Sequence, residues 1–148
     1  NEEALSFINS YFKKFPEIKD YMNTTIKTCR KQGFVTNIFG RRIHLRGIND
    51  KNFSVRAFQE RAAINAPIQG SAADIIKMAM IHVYETFKEQ NFNSKMLLQV
   101  HDELVFDVHK REIHILKSLI KDKMEQAVSL SVPLDVEVGQ GLNWLEAH

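Results

Sequence analysis

Apolar residues recur three and four positions apart near the start of the chain, which predicts a helix over residues 2–14. A second helix is predicted from Pro16 to Gly33, because proline favours the first turn of a helix and glycine favours the position after the last. FVTNIFG (34–40) is typical of a strand that leads into a turn. The polar and basic residues 40–52 are expected to be exposed.

The middle of the chain predicts two helices with a break between them. The first begins at Phe53 and is expected to end just before Pro67, since proline and then Gly70 interrupt its pattern. Ser71 is followed three residues later by an aspartate, and this pair resembles a capping box. A second helix is therefore expected to start there and to run to about Gln90.

Residues 97–108, LLQVHDELVFDV, place a polar triplet between two short apolar runs. Runs rich in Val, Leu and Phe predict strands, so this stretch is expected to form a hairpin with its turn at 101–103. A helix is predicted over 110–128, and PLDVEVG (133–139) alternates apolar and acidic residues with the period of a half-buried strand. This order of elements predicts an α+β fold, an antiparallel sheet with helices packed on one face.

The composition is that of one intracellular domain. The chain has 148 residues, 44% of them hydrophobic, and a formal net charge of +2, which is compatible with a nucleic-acid partner. Its single cysteine, Cys29, cannot form an intrachain disulfide, which favours a reducing compartment. No apolar run reaches the roughly 18 residues of a membrane span, and early acidic residues argue against a signal peptide. Because the first residue is not methionine, we expect the chain to begin partway through a larger protein.

The triplet His101, Asp102 and Glu103 is the leading candidate for chemistry. A sheet interior cannot hold unpartnered carboxylates, whereas a hairpin tip leaves them in water. Two carboxylates about 4 Å apart repel by about 4 kcal/mol at an effective dielectric constant of roughly 20. A divalent cation such as Mg²⁺ would turn that repulsion into attraction. The alternative is a plain polar turn, and strand alternation would direct the two acids to opposite faces, so that at most one need bind the ion directly.

Two further groups of residues suit nucleic acid. Arg61, Asn65 and Gln69 are spaced by four and share a helix face, and their side chains match the minor-groove acceptors that all base pairs present. A basic run could follow a phosphate backbone, and it consists of Arg41, Arg42, Arg46, Lys51, Arg56 and Arg61. The alternative for both groups is an ordinary solvated surface.

Five stretches of the chain together resemble, in the same order, the family A DNA polymerases of bacterial type. They are YFKKFPEIKDYM (11–22), FGRR (39–42), ERAAINAPIQGSAADIIKMAM (60–80), LLQVHDELVFDV (97–108) and VPLDVEVGQGLNWLEAH (132–148). The resemblance covers nearly the whole chain. It implies that residues 34–148 form the palm subdomain with its catalytic hairpin, and that residues 1–33 are the trailing helices of the fingers.

The resemblance also implies roles for the polar residues. Asp102 would be one of two aspartates that hold a pair of catalytic Mg²⁺ ions, Glu103 a supporting carboxylate and metal ligand, and His101 a neighbour of the primer terminus. Residues implied to contact DNA near the growing end are Arg61, Asn65 and Gln69. Arg41 and Arg42 are the candidates for phosphate contacts.

The implied activity is template-directed nucleotidyl transfer by a DNA-directed DNA polymerase. The implied partners are primer–template DNA, deoxynucleoside triphosphates and the upstream part of the same chain, with no membrane. The expected location is the bacterial cytoplasm with the nucleoid, and an organelle is also compatible with the family.

Three parts of such an active site are missing from the sequence: the strand with the second aspartate, the nucleotide-selecting fingers helix and the thumb. The chain alone is therefore predicted to be inactive. Two other functions fit the pattern less specifically. One is a non-catalytic nucleic-acid-binding module in which the acids of the hairpin are incidental, and the other is a helical interaction domain.

Overall fold

The structure, a computed structural model, describes residues 2–147. The described chain divides between Ser71 and Ala72 into two compact units, called unit 1 and unit 2 in chain order. Its elements are α1 (Glu2–Lys14), α2 (Pro16–Gln32), β1 (Phe34–Thr36), β2 (Arg42–His44), α3 (Phe53–Glu89), β3 (Lys95–Val100), β4 (Glu103–Asp107), α4 (Ile113–Glu125) and α5 (Trp144–Ala147).

Unit 1 packs α2, the β1–β2 hairpin and the first part of α3 around one apolar core. The buried core residues are Cys29, Val35, Leu45, Ile48 and Ala63. Gly33 ends α2 with a left-handed φ of 80°, and its N–H donates to the carbonyl of Cys29 at 2.7 Å. This conformation ends α2 at the predicted glycine and lets the chain continue directly into β1.

One strand of unit 1 was missing from the sequence-based prediction. Residues 40–52 were expected to be an exposed segment, but Arg42–His44 within it form β2, antiparallel to β1, with Val35 opposite Ile43. Ile43 is half-buried and its two strand neighbours are exposed. Three residues are too short to show a period of two, so the sequence pattern carried no strand signal here.

The predicted break in the middle helix is wrong. α3 is one helix of 37 residues that begins in unit 1, contains Pro67 and ends in unit 2. Ser71 does not cap a new helix; its hydroxyl donates to the carbonyl of Pro67 at 2.6 Å. Proline removes one backbone hydrogen bond, and packing of the fully buried Ala63 and Val83 on either side outweighs that loss.

Unit 2 joins the second part of α3, the β3–β4 hairpin and α4. Its core contains the buried residues Val83, Phe87, Leu116 and Ile120. Phe106 and Val108, in and just after β4, pack against this cluster, and the Phe87 and Phe106 rings lie 5.9 Å apart. The hairpin is thus anchored to the two helices by the apolar residues of its second strand.

Two other predictions for unit 2 need correction. α4 spans Ile113–Glu125, which is shorter than the predicted 110–128. Residues 133–139 do not form a strand, although their apolar positions are half-buried and their acids exposed as the alternation suggested. The N–H of Val136 donates to Glu125 Oε1 at 3.2 Å instead of joining a strand ladder. Both sheets among the described residues are therefore two-stranded, one β1–β2 and one β3–β4.

None of the helices within residues 2–147 is both long enough and apolar enough to cross a membrane.

Candidate functional site

The β3–β4 hairpin ends in a tighter loop than predicted. Val100 and Glu103 are the last paired residues, so the loop contains only His101 and Asp102, and Glu103 already belongs to β4. His101 has a positive φ of 52°, which two-residue hairpin loops favour because it matches the twist of the strands. The Gln99 side-chain amide donates to the carbonyl of His101 at 2.7 Å and closes the loop from one side.

The hairpin tip presents its acids to different degrees. His101 and Asp102 are exposed, whereas Glu103 is half-buried. An exposed carboxylate on a paired hairpin has the oxygen ligands that Mg²⁺ prefers and keeps them accessible from solvent. Residues 2–147 contain no group of three or more His, Cys, Asp or Glu side chains placed to hold a metal ion. The tip therefore fits part of a metal site, with further ligands needed from elsewhere.

A second acidic residue of unit 2 was not singled out from the sequence. Glu112, the residue just before α4, accepts hydrogen bonds from the backbone and side chain of Asn93 at 3.0 and 3.1 Å. Its other oxygen accepts from the backbone and hydroxyl of Ser94 at 3.0 and 2.6 Å. These bonds lower the pKa of Glu112 to about 2, with the Ser94 hydroxyl the largest cause. An acid preceding a helix was the available signal, but nothing local indicated its partners.

The predicted polar helix face lies in unit 1. Arg61, Asn65 and Gln69 belong to α3 and are all exposed, as their spacing of four suggested. Ala63 and Ala66 of the same helix pack into the core of the unit. The helix thus buries small apolar residues on one side and offers a guanidinium and two amides to solvent on another.

Arg41 and Arg42 lie where the β1–β2 connection enters β2, and both are exposed. The Arg42 guanidinium lies over the Phe34 ring, 4.8 Å from its centre. The connection itself is held by Asn37, a buried residue for which the sequence carries no local functional signal. Asn37 Oδ1 accepts from the N–H groups of Phe39 and Arg41, at 3.0 and 2.9 Å.

The connection is also bonded directly to α3. The Asn37 amide donates to the carbonyl of Gly70 at 3.1 Å, and the N–H of Ile38 donates to the Ser71 hydroxyl at 3.1 Å. Gly70 follows Gln69 in the middle of α3, so the structure brings the backbone that carries Arg41 next to the part of the helix that carries Gln69. Two parts of the predicted DNA-contacting set are thereby held together within unit 1.

The rest of the basic run is partly engaged within the protein. Arg56 lies 3.9 Å from Glu60 and donates to the carbonyl of Asp50 at 2.9 Å. Glu60 is also hydrogen-bonded to Arg30 of α2. Arg46 and Lys51 are exposed. The run is therefore a mixture of ion-paired and solvent-exposed cations, and not a uniform basic stripe.

The chain belongs to DNA polymerase family A, because residues 1–146 match the sequence model of that family. DNA polymerase I of Caldicellulosiruptor bescii is 50% identical to it over 145 residues, and DNA polymerase I of Streptococcus pneumoniae is 48% identical over 146 residues. The alignments cover 98% and 99% of this chain, and the chain spans 17% of the length of each of these relatives.

A solved structure is similar along almost the entire chain. It is the POL domain of Pol1 from M. smegmatis in complex with DNA primer-template and dNTP, with 45% identity and a TM-score of 0.95. The similarity covers 99% of this chain and 26% of that one. It confirms the predicted α+β, palm-like fold, and the family match confirms the resemblance found in the sequence motifs.

Proposed function

We propose that this chain is the C-terminal part of a DNA-directed DNA polymerase that extends a primer along a DNA template. The observation that carries the proposal is the exposed Asp102 carboxylate at the tip of a two-residue hairpin loop, in a chain of family A. The substrates are primer–template DNA and deoxynucleoside triphosphates. The primer 3′-hydroxyl attacks the α-phosphorus in line, a new phosphodiester bond forms, and pyrophosphate leaves.

The hairpin would supply part of the metal site for this reaction. Asp102 would be a direct ligand and Glu103 a supporting carboxylate, with Mg²⁺ as the metal and two ions in the intact enzyme. When bound, such a pair stabilises the charge on the attacking and leaving oxygens. His101, beside Asp102 in the loop, would contact the primer terminus. The exposure of Asp102 and the closed loop around it support these roles.

The exposed α3 face of unit 1 would contact the primer–template duplex near its growing end. Amide and guanidinium groups can donate to the minor-groove acceptors N3 and O2 that every base pair presents, so a correct pair of any sequence is held equally. Arg61, Asn65 and Gln69 would make these contacts. Arg41 and Arg42 would bind backbone phosphates, and the hydrogen bonds of Asn37 to the neighbouring backbone support a common surface.

We further propose that residues 1–33 belong to the fingers and residues 34–148 to the palm. The left-handed glycine at the end of α2 and the strand that begins at Phe34 support a boundary there. The partners of the chain would then include the upstream part of the same polymerase. The bacterial origin of the relatives supports the bacterial cytoplasm as its location.

One experiment on the intact polymerase separates the metal role from the DNA-binding role. Asp102→Asn is expected to slow nucleotide addition by about a hundredfold or more and to leave primer–template affinity nearly unchanged, because metal stabilisation of the transition state is worth several kcal/mol. Gln69→Ala or Arg61→Ala is expected to weaken primer–template binding by about 1 kcal/mol or more. Single-turnover rates and DNA dissociation constants measure the two effects.

Each matched control makes the same chemical change at a different position. Asp107→Asn alters an exposed acid at the other end of the same hairpin, and Gln90→Ala alters an exposed amide outside the α3 face. Both should behave as the unchanged protein. A normal rate in Asp102→Asn would refute the metal role. DNA binding that is indifferent to Mg²⁺ and to a paired primer end would favour a non-catalytic nucleic-acid-binding module.

A further inference from the structure

Besides the apolar packing of its second strand, the hairpin in unit 2 is tied at its base by one carboxylate. Glu112 accepts four hydrogen bonds, two from Asn93 and two from Ser94, at 2.6–3.1 Å. A carboxylate has about four lone-pair sites, so these bonds use its full capacity as an acceptor. Glu112 precedes α4 yet makes no side-chain cap to its own helix. Its side chain instead accepts hydrogen bonds from the segment that immediately precedes β3.

The same network reaches the other strand of the hairpin. The buried Ser94 hydroxyl donates to Glu112 and accepts from the N–H of His109 at 2.8 Å. Ser94 lies immediately before β3, and His109 lies two residues after the end of β4. One serine hydroxyl and one carboxylate therefore join both ends of the hairpin to the start of α4.

The strand ladder transmits this constraint to the tip. Pairing runs from Lys95–Asp107 at the base to Val100–Glu103 beside the loop, with one irregularity between Met96 and Leu98. A two-stranded hairpin is marginally stable by itself, so its orientation depends on the contacts that anchor it, which are the packing of Phe106 and Val108 and the hydrogen bonds at its base. A six-residue strand is about 20 Å long, which places Glu112 a full strand length from Asp102. Glu112 can influence Asp102 only through the hairpin, and not as a ligand.

Glu112 is charged at neutral pH, as an ordinary glutamate is, and its hydrogen bonds favour the charged form further. The Ser94 hydroxyl and the Asn93 backbone lower the pKa of Glu112 from 4.5 to about 2, so the carboxylate also stays ionised in moderately acidic solution. A neutral amide in its place would direct an N–H₂ group at N–H and O–H donors. Glutamine therefore preserves the size of the side chain and breaks the bonds of one oxygen.

We propose that Glu112 is a positioning residue for the metal-binding acid of the polymerase. Together with Ser94 it links both strands of the β3–β4 hairpin to α4 and thereby helps to fix the position of Asp102. The inference rests on the proposed function, since it assigns a role in placing Asp102 at the metal site. It adds a residue that contacts neither substrate nor metal.

The test compares Glu112→Gln with Glu85→Gln in the intact polymerase. Glu85 is an exposed acid on α3, so its substitution makes the same chemical change away from the hairpin base. The measured quantities are the Mg²⁺ concentration for half-maximal nucleotide addition, the active fraction from the burst amplitude, and the primer–template dissociation constant. A general loss of folded protein lowers the active fraction but leaves the Mg²⁺ requirement of the remaining molecules unchanged.

Glu112→Gln is expected to raise the half-saturating Mg²⁺ concentration on the order of tenfold, as loss of a residue that orients a metal ligand does elsewhere. Primer–template affinity and the Glu85→Gln protein should be unchanged. Ser94→Ala should raise the Mg²⁺ requirement by less. In the double variant, the increase in Mg²⁺ requirement should be smaller than the product of the two single increases, because both substitutions break the same network.

An unchanged Mg²⁺ requirement in Glu112→Gln overturns the inference, whatever the active fraction. If Glu112→Gln yields no folded protein, the Mg²⁺ requirement of Ser94→Ala is the test, and an unchanged value there overturns the inference. Asp102→Asn is measured in parallel to separate the two proposals. If Asp102→Asn is inactive and Glu112→Gln has a normal Mg²⁺ requirement, only the positioning role fails. If Asp102→Asn adds nucleotides at the normal rate, the metal role of Asp102 fails and the positioning role of Glu112 fails with it; if the unchanged intact protein adds no nucleotides, the proposed function fails.

Discussion

Asp102 and Glu112 are both acidic residues of unit 2, and their surroundings suit them to different tasks. Asp102 is exposed in a two-residue loop, where its oxygens are accessible. Both carboxylate oxygens of Glu112 accept hydrogen bonds from neighbouring donors. The first could be found from the sequence because its signal, a polar triplet between apolar strands, is local. The second could not, since its partners lie 18 and 19 residues away in the chain.

The lowered pKa of Glu112 predicts a pH dependence of local stability. The group has a lower pKa in the folded protein than when unfolded, so its stabilisation is complete above the ordinary pKa of 4.5 and is lost as the pH falls toward about 2. Glu112→Gln should therefore reduce protection of the 93–94 amides strongly near neutral pH and progressively less below the ordinary pKa. Hydrogen exchange of the intact protein measures this protection.

Glu85→Gln is the control for that measurement, because it removes the same charge at an exposed position. Its effect on the protection of the 93–94 amides should be small at every pH. A difference between Glu112→Gln and the unchanged protein that stays constant down to about pH 3 would contradict the assigned pKa.

At the scale of elements, the helices with regular apolar spacing and distinct ends were predicted well. α1 has the predicted bounds, and α2 ends at the predicted glycine. Two of the failures share a cause, which is that tertiary contacts overrode a local signal. Pro67 indicated a helix end, yet α3 continues through it, and residues 133–139 alternate like a strand yet have no partner strand. A pairing partner is a tertiary property that alternation alone cannot supply.

Gly33 offers a test of one such element boundary. Its φ of 80° is left-handed, its N–H donates to Cys29, and its carbonyl accepts from Leu45 at 2.9 Å. Gly33→Val should destabilise this junction by about 1–2 kcal/mol, because a side chain with Cβ strains the left-handed conformation. Gly33→Asn should cost less, since asparagine tolerates that conformation better. Exchange of the Leu45 amide in the intact protein reports the difference, and equal effects of the two variants would contradict the explanation.

At the scale of the whole molecule, the proposed function gives this chain only part of an active site. It spans 17% of the length of its polymerase relatives, and its described residues hold no cluster of three metal-ligating side chains. The sequence motifs identified the family and the palm-like fold, because motifs of that length are specific. How the two compact units are divided could not be read from the sequence, since α3 runs through the boundary without a local signal.

The purified chain of 148 residues is predicted not to extend a primer with Mg²⁺ and all four deoxynucleoside triphosphates. One exposed and one half-buried carboxylate cannot hold two metal ions in the geometry that in-line transfer needs. The intact polymerase serves as the positive control. The same chain with Asp102→Asn detects contaminating enzyme, since extension by both preparations would come from another polymerase. Extension by the unchanged chain alone would overturn the prediction.

The core of unit 1 also makes the molecule convenient for fluorescence labelling. Cys29 is the single cysteine of the chain, its side chain has 0% exposure, and burial raises the pKa of its thiol. A thiol that is both buried and protonated reacts slowly with maleimide dyes, because the thiolate is the form that attacks the maleimide. A cysteine introduced at an exposed position such as Gln90 would then carry the dye, with the native residue left in place.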